Sequence, residues 1–556
     1  MTMRNPHNYI PSDPVRLEVF KHLLSAIAEE MGVVLRKASF SPNIKERRDY
    51  SCGLFDAQGN MIAQAAHIPV HLGSMPLSVK STIDKFSRKG NHLLPGDTII
   101  LNDPFLGGTH LPDITMVTPV FIPDTSNDNS NQLSSNIETN NTVTPIAFVA
   151  SRAHHADIGG ISPGSMPIAR EIYQEGLIIP PVKFAQQGKV NQDVIDLIIA
   201  NVRTPDERSG DLKAQFGANQ RGIYRLTELI DRYSLRDVNH YMQELLTYTE
   251  WMTRRLISNL PNGKFSFIDY LDNNGISKDN IPIKVTITIE NDSAIVDFSG
   301  SAPQQESSVN AVYAITLSAV NYVFRSLIGL DVPNNSGCLK PISIIAPKGS
   351  VVNAEHPAPV AGGNVETSQR IVDVLLGALA QAYPDRIPAA SQGTMNNVSI
   401  GGWDPYREKY FTYYETIGGG TGASKSEDGI SAIHSHMTNT LNTPIEALEF
   451  AYPLRVVQYG VRHQSGGLGT HRGGDGIVRK LELLSNAQVT LLTERRTTSP
   501  YGLAGGEPGK KGENILIHAS EDIPLPGKGT FLGSKGDVLN IFTPGGGGYG
   551  SKDDSA

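Results

Sequence analysis

The sequence predicts an α+β protein of more than one domain, a β-rich mixed fold with interspersed helices and a metal site at strand ends of its N-terminal half. Three observations carry this expectation. Apolar residues recur at helical spacing in a few long segments and in short runs elsewhere. The 556 residues are several times the about 100–150 usual for one domain. Histidines and carboxylates gather where short apolar runs begin or end.

Asp13 and Pro14 make an N-cap and first-turn pair, and Leu17, Phe20, Leu24, Ile27, Met31 and Leu35 follow at helical spacing, so a helix is expected over 14–37. The runs at 49–55 and 61–63 flank Ala57-Gln58-Gly59-Asn60 as a hairpin with Asp49 at its mouth. Strands are expected at 98–102, 114–122 and 145–151, with a polar surface loop at 124–143. Residues 191–203 and 219–258 carry helical patterns, and Pro261-Asn262-Gly263 then interrupts the chain. A boundary near 258 divides an N-terminal metal-binding α/β domain, 1–258, from a C-terminal mixed α+β domain, 259–556. In the second, 283–289 and 293–298 form a hairpin, and 310–329 and 367–382 are buried helices. Its clustered glycines, part of 54 in the chain, are expected to make sharp turns between strands.

Composition excludes several classes. The net charge is −8 with no long basic tract, so nucleic-acid binding has no electrostatic footprint. No stretch of 18 apolar residues exists to span a membrane. Two cysteines, Cys52 and Cys338, are too few for a disulfide framework, and the start lacks an apolar signal region; a cytoplasmic protein is expected.

The chemistry centres on Gly107-Gly108-Thr109-His110-Leu111-Pro112-Asp113, a loop between two apolar runs. An imidazole and a carboxylate aimed into one space suit a borderline divalent ion such as Zn²⁺, Mn²⁺ or Fe²⁺. His154 and His155 end another strand, where neighbouring side chains point to opposite faces, so one of the two joins His110 and Asp113. Asp49 is available as a fourth ligand. An ion held this way acidifies water and polarises a carbonyl. Ser431 to His436 offers a His-X-His pair with both rings on one face of a strand. Gly362-Gly363-Asn364-Val365-Glu366-Thr367 reads as a helix-opening anion site capped by Thr367, or as a plain cap. Gly418 to Ala423 fits a dinucleotide loop only formally, because a poor helix follows, and Ala504 to Lys511 lacks essentials of a phosphate loop. No nucleotide site of a known type is found.

Taken together these phrases resemble the hydantoinase B/5-oxoprolinase family. The matching stretches are Glu46-Arg-Arg-Asp49-Tyr-Ser51, His67-Ile-Pro-Val-His71, Gly107 to Asp113, His154-His-Ala-Asp157-Ile-Gly-Gly160, Gly363-Asn-Val-Glu366, Gln392 to Asn397, His436-Met-Thr-Asn-Thr440 and the closing Pro544-Gly-Gly-Gly-Gly. The resemblance, which extends to acetone carboxylase subunits, implies the metal-containing catalytic subunit of an ATP-dependent cyclic amide hydrolase acting on a hydantoin, 5-oxoproline or a lactam. ATP would be bound by a separate hydantoinase A-type partner, in a hetero-oligomer containing more than one copy of this chain. It implies metal ligands at Asp49, His110, Asp113 and one of the adjacent histidines, with His154 favoured. His155, Asp157, Glu366 and His436 are the expected proton carriers. A ketone carboxylase subunit and a metal-free scaffold for the partner are the alternatives.

Overall fold

The computed structural model describes residues 9–65, 68–88, 92–122, 144–329 and 331–551. The polar loop expected at 124–143 lies outside them. The chain opens with α1 (Pro14–Ala38) and the short α2 (Pro42–Lys45), the first capped by Asp13, whose carboxylate accepts from Val15 N and Arg16 N at 3.0 Å. There follow β1 (Tyr50–Asp56), β2 (Met61–Gln64), α3 (Met75–Phe86), β3 (Thr98–Leu101), β4 (Asp113–Val120), β5 (Ala147–His154), β6 (Val182–Gln186) and β7 (Lys189–Val190). The strands form an antiparallel sheet in the order β2-β1-β5-β4-β3-β6-β7.

Every residue of β1, β4 and β5 is buried, because both faces of the sheet are covered. Phe55, Phe148 and Ala150 pack with Met75 and Val79 of α3. The alternate residues Leu54 and Val149 pack with Phe20 and Leu24 of α1 and with Ala218 and Leu226 of α5 (Pro205–Tyr233), which follows α4 (Gln192–Ile199). This is the period-2 alternation of a strand used on both sides. The helical pattern expected over 219–258 is broken at Ser234, whose backbone turns left-handed (φ 73°) and whose hydroxyl caps α6 (Leu235–Ser258) by accepting from Asp237 N at 3.2 Å.

The next sheet holds β8 (Gly263–Leu271), β9 (Ile281–Glu290), β10 (Ser293–Asp297) and β11 (Ile342–Ile345) in the order β11-β10-β9-β8. Ile283, Val285 and Ile287 of β9 share one apolar core with α7 (Tyr313–Ile328) and α8 (Ser368–Ala382) and, on the first sheet, with Ile100 and Ile114. The remaining elements are β12 (Asn397–Asp404), β13 (Lys409–Glu415), α9 (Ile445–Ala451), β14 (Leu454–Arg462), β15 (Gly476–Leu483), β16 (Ala487–Leu492), β17 (Glu513–His518), β18 (Glu521–Leu525), β19 (Lys528–Gly533) and β20 (Val538–Phe542). They build two sheets, β13-β12-β16-β19 and β14-β15-β20-β17-β18, joined by one core that includes Ile400, Val489, Leu481 and Leu539.

Many glycines of this last third do not serve as turns. Segments near 389–392, 418–423, 465–474, 501–509 and 544–550 lie side by side and bond through their backbones. Gly546 N donates to Gly474 O (2.9 Å), Gly547 N to Ala390 O (2.8 Å) and Gly548 N to Glu507 O (2.9 Å). A Cβ at Gly545, Gly546, Gly547 or Gly548 would stand 2.0, 1.9, 2.0 or 2.3 Å from the carbonyl oxygen of Ser465, Thr421, Tyr501 or Leu468 respectively. Three successive residues thus face three different neighbours and the fourth returns to the first, the three-residue turn of a polyproline II helix. Glycine is required here for close approach, not for left-handed backbone, which Gly505 and Gly550 do adopt. The Gly418 to Ala423 run that formally fits a dinucleotide loop is one strand of this bundle.

Candidate metal centre

Gly107 (φ 92°) and Gly108 press the loop between β3 and β4 against its surroundings: added Cβ atoms would sit 2.5 Å from Leu77 C and 2.6 Å from Asp103 O. That fixes the start of β4, where Asp113 pairs directly with His154 across the β4–β5 ladder, placing both side chains on one face. His110 reaches the same point from the loop. Asp113 Oδ1 lies 3.2 Å from His110 Nε2 and 3.3 Å from His154 Nδ1, and the two nitrogens are 3.2 Å apart. All three residues are buried.

Three Lewis-base atoms at such separations need a shared cation or a proton between them. With metal–imidazole bonds of about 2.1 Å, ligand atoms stand about 3.0 Å apart in octahedral and about 3.4 Å apart in tetrahedral coordination. The observed triangle falls between, so two histidines and a carboxylate fit a divalent ion with positions left open. Among the described residues this is the one group of three or more such side chains with its ligand atoms within 4.8 Å of one another.

The surroundings tune this triangle. Burial alone would raise the Asp113 carboxyl, but His110 and His71 hold it well below the carboxylate range. Its other oxygen accepts from Thr109 Oγ1 at 2.5 Å and lies 3.3 Å from His71 Nε2, while His71 Nδ1 is 2.9 Å from Ser51 Oγ. Burial lowers His71 and His154 below the ordinary imidazole value, which favours the neutral, ligating form. Tyr414 stacks on the His154 ring at 4.5 Å and 10°, and Asn364 Nδ2 lies 3.0 Å from His110 Nε2. Asp49 stands outside the triangle but lines the same cavity of about 20 Å³ with His71, Asp113, His154 and Tyr414; burial raises its carboxyl.

The other expected residues are placed as follows. His155 points to the opposite side of the β5 end, 2.9 Å from Gln215 Oε1, and burial lowers it to about 4. Asp157 accepts from Arg203 N (2.7 Å) and Nη1 (2.8 Å). Glu366 lies behind the cavity: its Oε1 accepts from Met395 N (3.0 Å) and Asn397 Nδ2 (2.6 Å), and burial pushes its carboxyl up to about 8. Asn397 Oδ1 in turn accepts from Tyr414 OH at 2.8 Å. His436 Nδ1 lies 3.3 Å from Tyr322 OH. The strand expected at 431–436 does not form, because Ala432 and His436 adopt left-handed backbone (φ 56° and 59°) and break the alternation. Thr367 stands at the N-cap position of α8 but its side chain makes no capping bond; residues Gly363–Thr367 form a π-helical turn, a geometry frequent at functional sites, and Thr367 Oγ1 donates to Val309 O at 2.5 Å.

Residue-level reading missed His71, Thr109, Asn364 and Tyr414 as site neighbours. The phrase from His67 to His71 was the available signal for the first, and the glycines of Gly362-Gly363 for the third. It also missed Arg152, wholly buried and lowered to about 10 by burial, whose guanidinium donates to Ser74 Oγ (2.5 Å), Ser78 Oγ (2.7 Å) and Thr115 Oγ1 (2.8 Å) and ties α3 to the sheet.

A family model described as hydantoinase B/oxoprolinase matches residues 13–552. The 5-oxoprolinase 1 of Arabidopsis thaliana is 40% identical over 568 residues, covering 97% of this chain and 42% of that one, so the chain spans about two fifths of that relative. The B-type component of a putative D-/L-hydantoinase from a Pseudomonas species is 32% identical, with 97% and 90% covered. Among solved structures, an ATP-dependent caprolactamase from Pseudomonas jessenii aligns with a TM-score of 0.87 at 30% identity over 98% of this chain and 92% of that one. A nucleotide-free acetone carboxylase aligns with a TM-score of 0.85 at 18% identity over 97% and 76%, a likeness of fold.

Proposed function

The chain belongs to the hydantoinase B/oxoprolinase family, and on that footing we propose that it is the metal-containing catalytic subunit of an ATP-dependent cyclic amide hydrolase. It would open a hydantoin, 5-oxoproline or lactam ring together with a separate, ATP-binding partner of the hydantoinase A type, in a cytoplasmic hetero-oligomer with more than one copy of this chain. The observation that carries the reading is the triangle of Asp113 Oδ1, His110 Nε2 and His154 Nδ1 within 3.3 Å. Asp49, across the cavity, completes the ligand set. The relatives support the division of labour: the chain matches nearly all of a B-type hydantoinase component but only two fifths of a 5-oxoprolinase.

The bound ion, Zn²⁺, Mn²⁺ or Fe²⁺, would supply acidified water and a positive charge for the oxygen of the attacked amide. The chain's own groups do the rest. Thr109 and His71 hold Asp113 by its second oxygen, and Ser51 holds His71. Tyr414 lies over His154 with its hydroxyl bonded to Asn397, and Asn397 bonds Glu366. Glu366, held protonated near neutral pH by burial, is the proton store behind the cavity, and its proton would serve the departing ring nitrogen. His155 and Asp157 orient the β5 end through Gln215 and Arg203, and His436 anchors the segment before Met437. A cavity of about 20 Å³ holds about one water and no lactam ring, so substrate entry requires its walls to part.

Co-purification with the ATP-binding partner, elemental analysis, and a phosphate-release screen over hydantoins, 5-oxoproline, lactams and ketones test the reading. Ring opening that needs ATP, partner and metal is the expected result. Incorporation of label from bicarbonate would instead make the chain part of a ketone carboxylase. Full ring opening by a metal-free Asp113→Ala complex would leave it a scaffold.

A further inference from the structure

Asn364 is buried and lines the metal-centre cavity together with Asp49, Asp113 and His154. Its backbone is held on both sides. Before it, Gly362 and Gly363 press on the chain near 308–310: Cβ atoms there would stand 3.0 Å from Ser308 O and 1.8 Å from Asn310 O, and Gly363 N donates to Ser308 O at 2.9 Å. After it, Ser368 Oγ donates to Asn364 O at 2.7 Å, and Thr367 Oγ1 donates to Val309 O. The π-helical turn is thereby fixed at both ends, with one amide aimed at His110.

As a hydrogen-bonding group this amide is half used. Nδ2 lies 3.0 Å from His110 Nε2, and among the described residues the buried Oδ1 has no hydrogen-bond partner. A buried carbonyl oxygen without a donor is costly. His110 Nε2 is also one corner of the triangle, and once it holds an ion it has no lone pair left to accept from Nδ2. The present orientation would then leave both amide atoms unmatched. A half-turn of the amide puts Oδ1 in the place of Nδ2, 3.0 Å from His110 Nε2. That is the spacing of neighbouring ligand atoms in octahedral coordination, about 3.0 Å, and only Nδ2 then lacks a partner. Neutrality suits the place as well. A divalent ion between Asp49 and Asp113 is already balanced, and a third carboxylate would bring excess charge into a buried cavity, whereas a carbonyl adds coordination without charge.

We propose that Asn364 is a further protein ligand of the metal centre, binding the ion through Oδ1 beside Asp49, His110, Asp113 and His154. One octahedral position then stays open, and such an oxygen-rich set suits Mn²⁺ or Fe²⁺ better than Zn²⁺, which four ligands satisfy. The assignment rests on the reading of the triangle as a metal site, and its test needs neither partner nor substrate. In a chelator competition on the metal-stripped 556-residue chain, Asn364→Leu removes the oxygen and keeps the shape. It should weaken Mn²⁺ binding at least ~10-fold, the loss of one contact to a charged group, and Zn²⁺ binding less. Asn364→Asp keeps an oxygen and adds charge, so it should bind Mn²⁺ at least as tightly as the parent. Metal-free melting curves of both variants separate ligation from folding, and should Asn364→Leu fail to fold, Asn364→Asp carries the test. An amide that acts only by donating through Nδ2 would be lost in both variants alike. Weaker Mn²⁺ binding by Asn364→Asp, or binding unmoved by Asn364→Leu, would therefore overturn the ligand and leave the centre standing. A parent chain that binds neither ion would overturn the centre and this ligand with it.

Discussion

Asp113, His110 and His154 meet within 3.3 Å through side chains of opposite character, whereas Gly545 to Gly548 meet their neighbours through backbone alone. The two regions adjoin, since the segments carrying Met395, Tyr414 and Met437 into the metal-centre cavity continue into the bundle strands near 392, 418 and 433. At the triangle, three Lewis-base atoms need a shared cation or a proton between them. In the bundle there is no side chain to remove and no space to add one. Chemistry should therefore be separable from folding in the first region and inseparable in the second.

The largest expected effect is at the bundle's centre. Gly546→Ala puts a methyl 1.9 Å from Thr421 O, a backbone atom that cannot rotate aside. A loss beyond about 4 kcal/mol is expected, enough to abolish soluble, cooperatively melting protein; a melting curve within a few degrees of the parent would break the contrast at once. Asp113→Ala should do the reverse. Bound metal, measured by elemental analysis, should fall from about one per chain to near zero, since losing a ligand exceeds the roughly 100-fold cost of losing its support. The metal-free melting temperature should stay close to that of the metal-stripped parent, and a collapse there would show that the triangle also holds the fold.

Thr109→Val removes only the hydroxyl that donates to Asp113 Oδ2 and should weaken metal binding about 10–100-fold in a chelator competition. The smallest effect concerns Glu366, which is buried between the two regions. Its folded value, raised to about 8, lies above the unfolded one near 4.3, so its contribution is fully present below about pH 4.3 and is lost as pH rises toward 8. Urea denaturation at pH 5, 6 and 7 should show the parent losing stability relative to Glu366→Gln by ~1 kcal/mol per unit. Equal slopes would place that carboxyl in a wetter setting.

The legible parts of the molecule are those in which local pattern and tertiary demand agree. Asp13 and Pro14 cap α1 as spacing requires, and α8 starts within a residue of its expected place. Strand alternation left His154 and His155 open, and the family resemblance favoured His154. His110 and Asp113 were visible because ligand-type residues at strand ends are informative by type. His71, Asn364 and Tyr414 were not, since they arrive from a 3₁₀ turn, a π-helical turn and the end of a β-strand whose local patterns say nothing about a distant partner. Ser234 hid a helix break because one serine is a mild signal within a strong apolar period. The glycine clusters were misread for a related reason: a glycine announces missing bulk, and the neighbour that needs the room lies far off in the chain, as Thr421 does from Gly546, 125 residues away.

That distance has a consequence for how the molecule is made. The middle strand of the bundle, residues 544–550, is among the last of these segments to leave the ribosome, and every neighbouring segment donates to or accepts from it. Until it threads in, the segments near 390, 420, 467 and 503 have only one another to bond, as Gln392 N does Gly420 O and Ala390 N does Tyr501 O, and the bundle beneath Met395, Tyr414 and Met437 lacks its middle strand. The first sheet can assemble hundreds of residues earlier, with its histidines and carboxylates in place. During synthesis the half of the centre that carries His110, Asp113 and His154 therefore emerges while its other wall is still being translated.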